Sequence, residues 1–587
     1  MLVACVYVAT AARDVVVGDT GDFLTTAATL GVAHPPGYPL LVLLGHAFSL
    51  LPVGPLPFRI NLVAAISDAI AVGLAFSIAR RLGAPRLPAV VAALALAFNP
   101  LFWEWSLAIE AFPLNDCIAT LLIYLLVRWD GEPERRVFLA GAALCGGLGA
   151  ANHLTIIFLI PLVLTVMWHR RAAIDARTVV FCVGAIFVGM LPYLYIPWAA
   201  ARDPYLNWGN VTSAHDLLQH FLRSDYGTGR LVATGGPSGS PIDRLEGLGT
   251  SFTILESILI VVGAIEAYRI KWYFWGSLLS FAIAGPAFVA YANMDVSNPP
   301  LLWALGRFFL MPHVIAAPFA AFGAIAIEEA IASQVPRAKQ RVVETAVVAV
   351  AAVAFLVSAA LRYRSVDLSG DHLAHTFVQD ALATLQPNTV LLARGDEVVF
   401  PAAYVQAVDR ARPDVTLIAT GMLGFQWYIP QLRRRDPRLR IPYDRYDPRN
   451  ASATLRALIE ANPDRPFALI GSATDNSLNG PYWLYRRGVV EDVEPMSKDV
   501  GLDAAAHEND RLLRAYHLPN PGAVRRNTFE ISYLDKYKRA PASLGDQFTL
   551  AHLDRQAEDW YRRALAIDPL DAGVRAKLAK VSARISP

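Results

Sequence analysis

Charge is what this sequence has least of: Asp, Glu, Lys and Arg make up 17% of its 587 residues, against 55% hydrophobic. Ordinary soluble domains carry about 25% charged residues, so the shortfall excludes a soluble fold for most of the chain. The net charge of +2 sets up no strong field of one sign, which removes the basic face that nucleic-acid recognition needs. Cysteine is scarce as well. All 4, Cys5, Cys117, Cys145 and Cys182, fall inside apolar runs, so no CxxC pair or disulfide framework can be drawn, and they are expected to be small buried apolar residues. There is no phosphate-cradling Gly loop, zinc spacing, nucleophile elbow or nucleic-acid module. No cleavable signal peptide is evident. The opening stretch 1–17 is apolar but interrupted by Arg13 and Asp14 and short for a span, and the true start is expected upstream.

What the chain does have is a series of hydrophobic runs near the roughly 20 residues that cross a bilayer. They lie near 1–17, 60–79, 88–103, 107–127, 137–151, 154–168, 178–198, 252–268, 273–291, 308–327 and 342–361. The expected fold is therefore a membrane α-helical bundle of about 11 spans. The stretch 137–168 is open to a second reading as one tilted helix. With the N-terminus inside, the inside loops carry Arg80, Arg81 and Arg86, then Arg128, Arg135 and Arg136, Arg170, Arg171 and Arg177, Arg269 and Lys271, and Arg337, Lys339 and Arg341. That is the basic bias of cytoplasmic loops. A single helix over 137–168 would reverse every later loop, which the clusters at 170–177 and 337–341 disfavour. Two long loops, 18–58 and 199–251, and everything after residue 361 then face outward.

The C-terminal part divides into an expected α/β domain at 362–545 and a helical tail at 546–587. Thr389–Ala393, Val415–Ala419 and Pro466–Ile470 are short β-prone apolar runs between helical stretches, the pattern of a small parallel sheet. Tyr561, Ala564, Leu565 and Pro569 have the spacing of one tetratricopeptide-like helix pair. One repeat cannot bury its own face, so the pair is expected to pack on the α/β domain.

The first outward loop reads Gly18-Asp19-Thr20-Gly21-Asp22-Phe23, then His34-Pro35-Pro36-Gly37-Tyr38-Pro39. Asp19 and Asp22 are three residues apart, so they meet on one helical face or chelate across a tight turn. Such a pair suits general-base work or cation binding, or it is a helix cap near the headgroups. The prolines forbid a regular helix at 34–39. Irregular backbone at membrane depth survives only where protein or a water-filled cavity covers it, so this segment is expected to line a cavity. Glu104 and Glu110 flank an outer turn with Trp103 and Trp105, and ionisable groups there face the bundle interior, a cavity or water. Asn115 and Asp116 lie one turn deeper, where they could bond between helices. Asn152 and His153 mark another outer turn, and a plain polar turn would explain them too. Arg59 and Arg307 enter apolar runs from outside, placed to meet a phosphate or to snorkel. In the second long loop, Asn207 and Trp208, with Arg223, Asp225 and Tyr226 further on, combine ring faces and polar groups suited to sugars, though interfacial aromatics have the same composition.

These strings, with Arg59-Ile60-Asn61-Leu62, Glu110-Ala111-Phe112-Pro113-Leu114-Asn115, Ala151-Asn152-His153-Leu154-Thr155 and Leu206-Asn207-Trp208-Gly209, resemble a widespread domain-of-unknown-function family of membrane proteins. It includes the vertebrate endoplasmic-reticulum enzyme that O-mannosylates plexin-type receptors. The resemblance covers about 18–330 and implies a GT-C fold with glycosyltransferase activity. It implies a polyprenyl-phosphate-linked sugar, with mannose as one candidate, as donor and co-substrate. The acceptor would be a protein, glycan or lipid on the outer face of the membrane, and a divalent metal is possible. It also implies that an acidic residue of the first outward loop deprotonates or orients the acceptor. The matching positions are Asp19 and Asp22, and since the family more often has Glu where this chain has Asp22, Asp19 is the first choice of base. His34, Tyr38, Arg59, Glu110, Asn152, His153, Asn207, Trp208 and Arg307 are the expected donor and substrate contacts. The expected location is a bacterial inner membrane, with the lipid bilayer and the lipid-linked sugar as partners and no nucleic acid. A transporter or flippase would also have many spans, but transporters tend to repeat themselves internally and the Gly-Asp block occurs once. A scaffold reading leaves the polar outer loops unexplained.

Overall fold

A computed structural model describes residues 1–227, 229–231, 239–447, 451–471, 478, 482–498 and 500–585. The chain forms two units, one of Met1–Asp14 and Thr26–Asp371 and one of Val15–Thr25 and His372–Pro587. The first outward loop is thus divided between them, which the sequence-based boundary at 361 did not foresee.

In the first unit, 6 helices among the described residues are long and apolar enough to cross a membrane: Leu56–Arg81, Ala111–Gly131, Ala176–Ala200, Lys271–Tyr291, Pro299–Ala332 and Arg337–Val366. A pair bent by 91°, Pro241–Ser251 and Ile254–Ala267, makes up to 7. Shorter apolar helices occupy Pro39–Ser49, Arg86–Ala97, Arg136–Ala150 and Leu154–His169. The predicted runs and these helices coincide in place but not in kind. The run 1–17 gives only a 9-residue helix, Leu2–Thr10, about 14 Å long against a hydrocarbon core of about 30 Å. The run 88–103 breaks at Asn99, whose side chain accepts from the backbone N–H groups of Leu101 and Phe102 and starts a new helix with Pro100 in its first turn. The stretch 137–168 is two segments, since the chain leaves the helix at Ala151 and restarts as a 3-10 turn at Leu154.

The 91° bend is held by buried polar groups. Thr253 caps Ile254–Ala267 in a reciprocal box with Glu256, satisfying the end of a helix that would otherwise expose donors in an apolar setting. Glu256 also accepts from Asn99 Nδ2 at 2.8 Å and meets His313 Nδ1 at 3.1 Å, whose Nε2 lies 3.0 Å from Ser251 Oγ. Cys145 is buried, but Cys117 and Cys182 are only partly so and Cys5 is exposed. The expectation of four buried thiols fails because three of them lie on helix faces that the bundle does not fully cover.

The second unit is built on a 5-stranded sheet in the order β2-β1-β3-β5-β4. β1 (Val390–Arg394), β2 (Thr416–Ala419) and β3 (Phe467–Gly471) are parallel, in register at Leu392↔Ile418 and Leu392↔Leu469. These are the three apolar runs read from the sequence. β4 (Tyr482–Arg487) and β5 (Val490–Pro495) add an antiparallel hairpin that hydropathy did not show, because its strands carry Arg486, Arg487, Glu491, Asp492 and Glu494. Cross-strand pairs satisfy four of these, Arg486 Nε on Glu491 at 3.0 Å and Arg487 Nε on Asp492 at 2.7 Å. At the C-terminal end, helices Asp554–Ile567 and Ala572–Ile585 form the expected pair. They share a core of Leu544, Phe548, Ala557, Trp560, Tyr561, Ala564, Val574 and Val581 with helix Ile531–Leu550, which runs across the boundary expected at 545.

Candidate functional site

The segment 31–38 stays irregular for the reason its prolines give. Pro39 opens helix Pro39–Ser49, and Tyr38 before it is left-handed at φ 44°. What fixes the segment is the second long loop. Val32 and Asn207 form an isolated parallel bridge; Val32 N–H donates to the Leu206 carbonyl at 2.8 Å and Trp208 N–H to the Val32 carbonyl at 3.3 Å. Tyr195 adds a hydroxyl bond to the Gly31 carbonyl at 2.8 Å. Two strings distant in sequence become one wall, on which His34 meets Tyr38 at 5.0 Å and the edge of Trp208 at 6.2 Å between ring centroids.

The wall continues into an aromatic cluster around a cation. Tyr38 stacks on His153 at 6.0 Å with 23° between planes, and His153 lies 4.4 Å from Phe112 and 6.0 Å from Phe308. The Arg307 guanidinium sits over Phe112 at 5.5 Å and Phe308 at 5.8 Å, cation–π distances that favour a partly desolvated Arg. Its Nη1 is 3.5 Å from Glu110 Oε2, with side-chain exposures of 22% and 3%. At that separation the two groups attract as ions without forming a tight hydrogen bond.

The acid and the ring beside it are held from below. Asn61 accepts from Ile109 N–H at 2.9 Å and donates to the Ala12 carbonyl at 3.0 Å, fixing the backbone just before Glu110. Asn152 donates to the Ala111 carbonyl at 2.8 Å. His153 Nδ1 accepts from Thr155 N–H at 3.4 Å and lies 2.8 Å from Thr155 Oγ1; with Nδ1 an acceptor, the neutral ring carries its proton on Nε2. The side-chain oxygens of Asn152 and Asn207 are buried with no partner among the described residues. Buried carbonyl oxygens are rarely left so, and a water or a ligand hydroxyl is the usual occupant.

The structure brings His34, Tyr38, Glu110, Asn152, His153, Asn207, Trp208 and Arg307 into the first unit and links them through these contacts. It puts Arg59 to another use: Nε donates to the carbonyls of Val53 at 3.1 Å and Gly54 at 3.0 Å, and Nη1 to Ser49 at 3.2 Å, closing the loop after helix Pro39–Ser49. Glu104 accepts from Trp303 Nε1 at 2.8 Å. Asp19 and Asp22 lie on the segment Val15–Thr25 of the second unit. The Asp19 carbonyl accepts Phe23 N–H at 3.1 Å, so it stands at the start of helix Thr20–Thr29, and Asp22, in the first turn of that helix, is 0% exposed. Among the described residues no group of three or more His, Cys, Asp or Glu side chains gathers as a metal-ligand set.

Two residues escaped the sequence reading. Asp68, 0% exposed within a span, accepts from Ser106 Oγ at 2.8 Å; an acid inside an apolar run was the available signal. His220 gave no signal, because its neighbours are contacts between loops. A β-carbon on Gly37 would stand 3.0 Å from its Nε2 and one on Gly209 3.0 Å from its Nδ1. With φ of +96° and +76°, both positions need glycine on two counts. Burial holds the His220 pKa far below the ordinary imidazole range, at about 3, His34 adding to the shift and the Ala33 carbonyl opposing it.

A buried neutral base takes up its proton only on unfolding, so His220 contributes full stability above pH of about 6.5 and loses it as pH falls toward about 3. Acidification from pH 7 to 5 is expected to cost about 2 kcal/mol through this group. Denaturant melts of wild type and His220→Gln check this: the variant is less stable at pH 7 but loses less on acidification.

Comparison with known proteins places these features in context. Residues 19–176 match the family model of the Protein O-mannosyl-transferase TMEM260 N-terminal domain, and residues 374–439 that of TMEM260-associated domain 2. Protein O-mannosyl-transferase TMEM260 of Mus musculus is 30% identical over 468 residues, 76% of this chain and 65% of that protein. Its counterpart in Dictyostelium discoideum is 24% identical over 556 residues, 86% of this chain and 67% of that protein. The chain thus spans about two thirds of the length of these curated relatives. Among solved structures, ArnT from Cupriavidus metallidurans, bound to undecaprenyl phosphate, matches with a TM-score of 0.54 at 13% identity, over 84% of this chain and 97% of that one. That likeness shows the GT-C fold. Both curated relatives carry transferase names, which leaves the transporter reading without support, and both come from eukaryotes. The multi-pass membrane character stands; the expected bacterial location is withdrawn.

Proposed function

For a chain with two segments that match TMEM260 family models, we propose a glycosyltransferase that moves a sugar, mannose in the first instance, from a polyprenyl-phosphate donor to an acceptor hydroxyl on the outer face of the membrane. The carrying observation is the Arg307–Glu110 pair, set among Phe112, Phe308 and His153 and joined through Tyr38 to the wall of His34 and Trp208. A guanidinium paired with an acid, beside rings and buried amide oxygens, suits a sugar phosphate. Arg307 binds phosphate oxygens, ring faces take the sugar's C–H surface, and Asn152 and Asn207 accept from its hydroxyls.

In the proposed reaction the Asp19 carboxylate takes the acceptor hydroxyl proton as the acceptor oxygen bonds to the anomeric carbon. The bond from that carbon to the phosphate oxygen breaks, and its electron pair leaves on the polyprenyl phosphate. Displacement from the opposite face inverts the anomeric centre. Arg307 stabilises the charge that grows on the departing phosphate, an interaction stronger in the transition state than in the bound donor. Arg59, spent on three carbonyls, is not given this role. The α/β domain, outside the membrane in this reading, is available to the acceptor.

The direct test is transfer of labelled mannose from polyprenyl-phosphate mannose by the full chain in proteoliposomes, with the nucleotide sugar as the competing donor. Label is expected on hydroxyl groups of a protein, glycan or lipid acceptor from the lipid-linked donor only. No transfer from that donor with mannose or glucose to any of the three acceptor classes would overturn the proposal.

A further inference from the structure

Pro401 lies inside helix Asp396–Ala407 and has no N–H to give the carbonyl one turn earlier. That carbonyl belongs to Glu397, and it is not left unsatisfied: Tyr533 Oη donates to it at 2.6 Å. Lys536, one turn along from Tyr533 on helix Ile531–Leu550, pairs with the Glu397 carboxylate at 3.1 Å, with side-chain exposures of 5% and 13%. The helix is thereby clamped at its first turn by both the backbone and the side chain of one residue.

The backbone of Phe400–Pro401, further along the same helix, meets the acidic segment. A β-carbon built on Gly21 would stand 2.5 Å from the Phe400 carbonyl carbon, 2.7 Å from its oxygen and 2.8 Å from Pro401 N. Ordinary carbon contacts are about 3.5–4.0 Å, so the backbone of Gly21 lies against the backbone of Phe400–Pro401 with no room for any side chain. Because the obstacle is backbone, no rotamer change relieves it. Gly21 sits between Asp19 and Asp22, its own carbonyl takes the Thr25 hydroxyl at 2.6 Å, and Phe23 beside it is 1% exposed. All these residues belong to the second unit.

We infer that Tyr533, acting through the Glu397 carbonyl and the Phe400–Pro401 backbone, positions Gly21 and with it the two carboxylates. This gives the C-terminal α/β unit a part in catalysis separate from any contact with the acceptor. Gly21 and Tyr533 are positioning residues, since neither is assigned to substrate. The inference rests on the proposed role of Asp19 and is tested so that the two can fail apart.

The experiment compares the full chain in nanodiscs as wild type, Gly21→Ala, Tyr533→Phe, the double variant and Asp19→Asn, reading kcat, both KM values and thermal stability. A shift of about 1 Å at a catalytic group can cost about 100-fold. Gly21→Ala is expected to lower kcat by about that factor, with both KM values within about twofold of wild type. Tyr533→Phe is expected to lower kcat by a smaller factor, and the double variant to be no worse than Gly21→Ala alone, because both act on one linkage. Wild-type kcat in Gly21→Ala, or fully multiplicative losses in the double variant, overturns the inference while leaving Asp19 in place. Full activity of Asp19→Asn overturns the reading beneath it. Should Gly21→Ala not fold, Tyr533→Phe removes a single oxygen and decides the matter, an unchanged kcat counting against the linkage.

Discussion

Asp19→Asn is expected to leave the protein folded and to lower transfer about 1,000-fold at neutral pH, within the range that a general base contributes. The amide has nearly the shape of the carboxylate but cannot take up the acceptor proton. Asp19 is preferred over Asp22 on access as well as on resemblance. Asp22 is 0% exposed, whereas Asp19 is half-buried at the start of the helix, and a base must be reached by the hydroxyl it deprotonates. Asp19→Glu, charged but one methylene longer, should recover part of the rate. Asp22→Asn acts differently. It replaces a buried acid, so the expected loss is stability, about 1–3 kcal/mol, with transfer falling as folded protein is lost. Equal transfer by folded Asp19→Asn and wild type would remove Asp19 from the mechanism.

Much of this architecture was legible in the sequence, and the exceptions share a cause. Spans are written as length and hydropathy, and β1, β2 and β3 as short apolar runs, so both could be placed from local composition. The β4–β5 hairpin was hidden because its charges pair across strands, a satisfaction that no window of sequence displays. The break at Asn99 is local, yet the apolar residues on both sides of it mask a cap that only the structure reveals. At the site, Glu110, His153 and Trp208 were conspicuous as polar or aromatic residues beside apolar runs. Arg59 looked equivalent to Arg307 by the same criterion, and what separates them is three backbone carbonyls around one guanidinium and two rings with an acid around the other. His220 carries no mark of its own, and Gly21 only its place in the Gly-Asp block. Each matters through a backbone far along the chain, and hydropathy and motif spacing are blind to such contacts.

Arg307→Gln is expected to lower kcat about 100- to 1,000-fold, the usual loss when a donor aimed at developing negative charge is removed, with a smaller change in donor KM. Arg307→Lys should recover only part, since an ammonium keeps the charge but not the planar fork that matches phosphate. The Glu110 carboxylate makes the experiment discriminating. Its side chain is 3% exposed and that of Arg307 22%, so removing the cation strands a buried acid. Breaking a fully buried pair costs about 3–5 kcal/mol; here the partial exposure of Arg307 brings the expected cost to about 2 kcal/mol. Glu110→Gln in the same chain removes the stranded charge. The double variant should therefore regain most of the lost stability and none of the lost transfer. If Arg307 served only to neutralise Glu110, restoring the fold would restore the rate. Recovery of both in the double variant would make the pair a structural ion pair, and the phosphate would have to find its cation elsewhere.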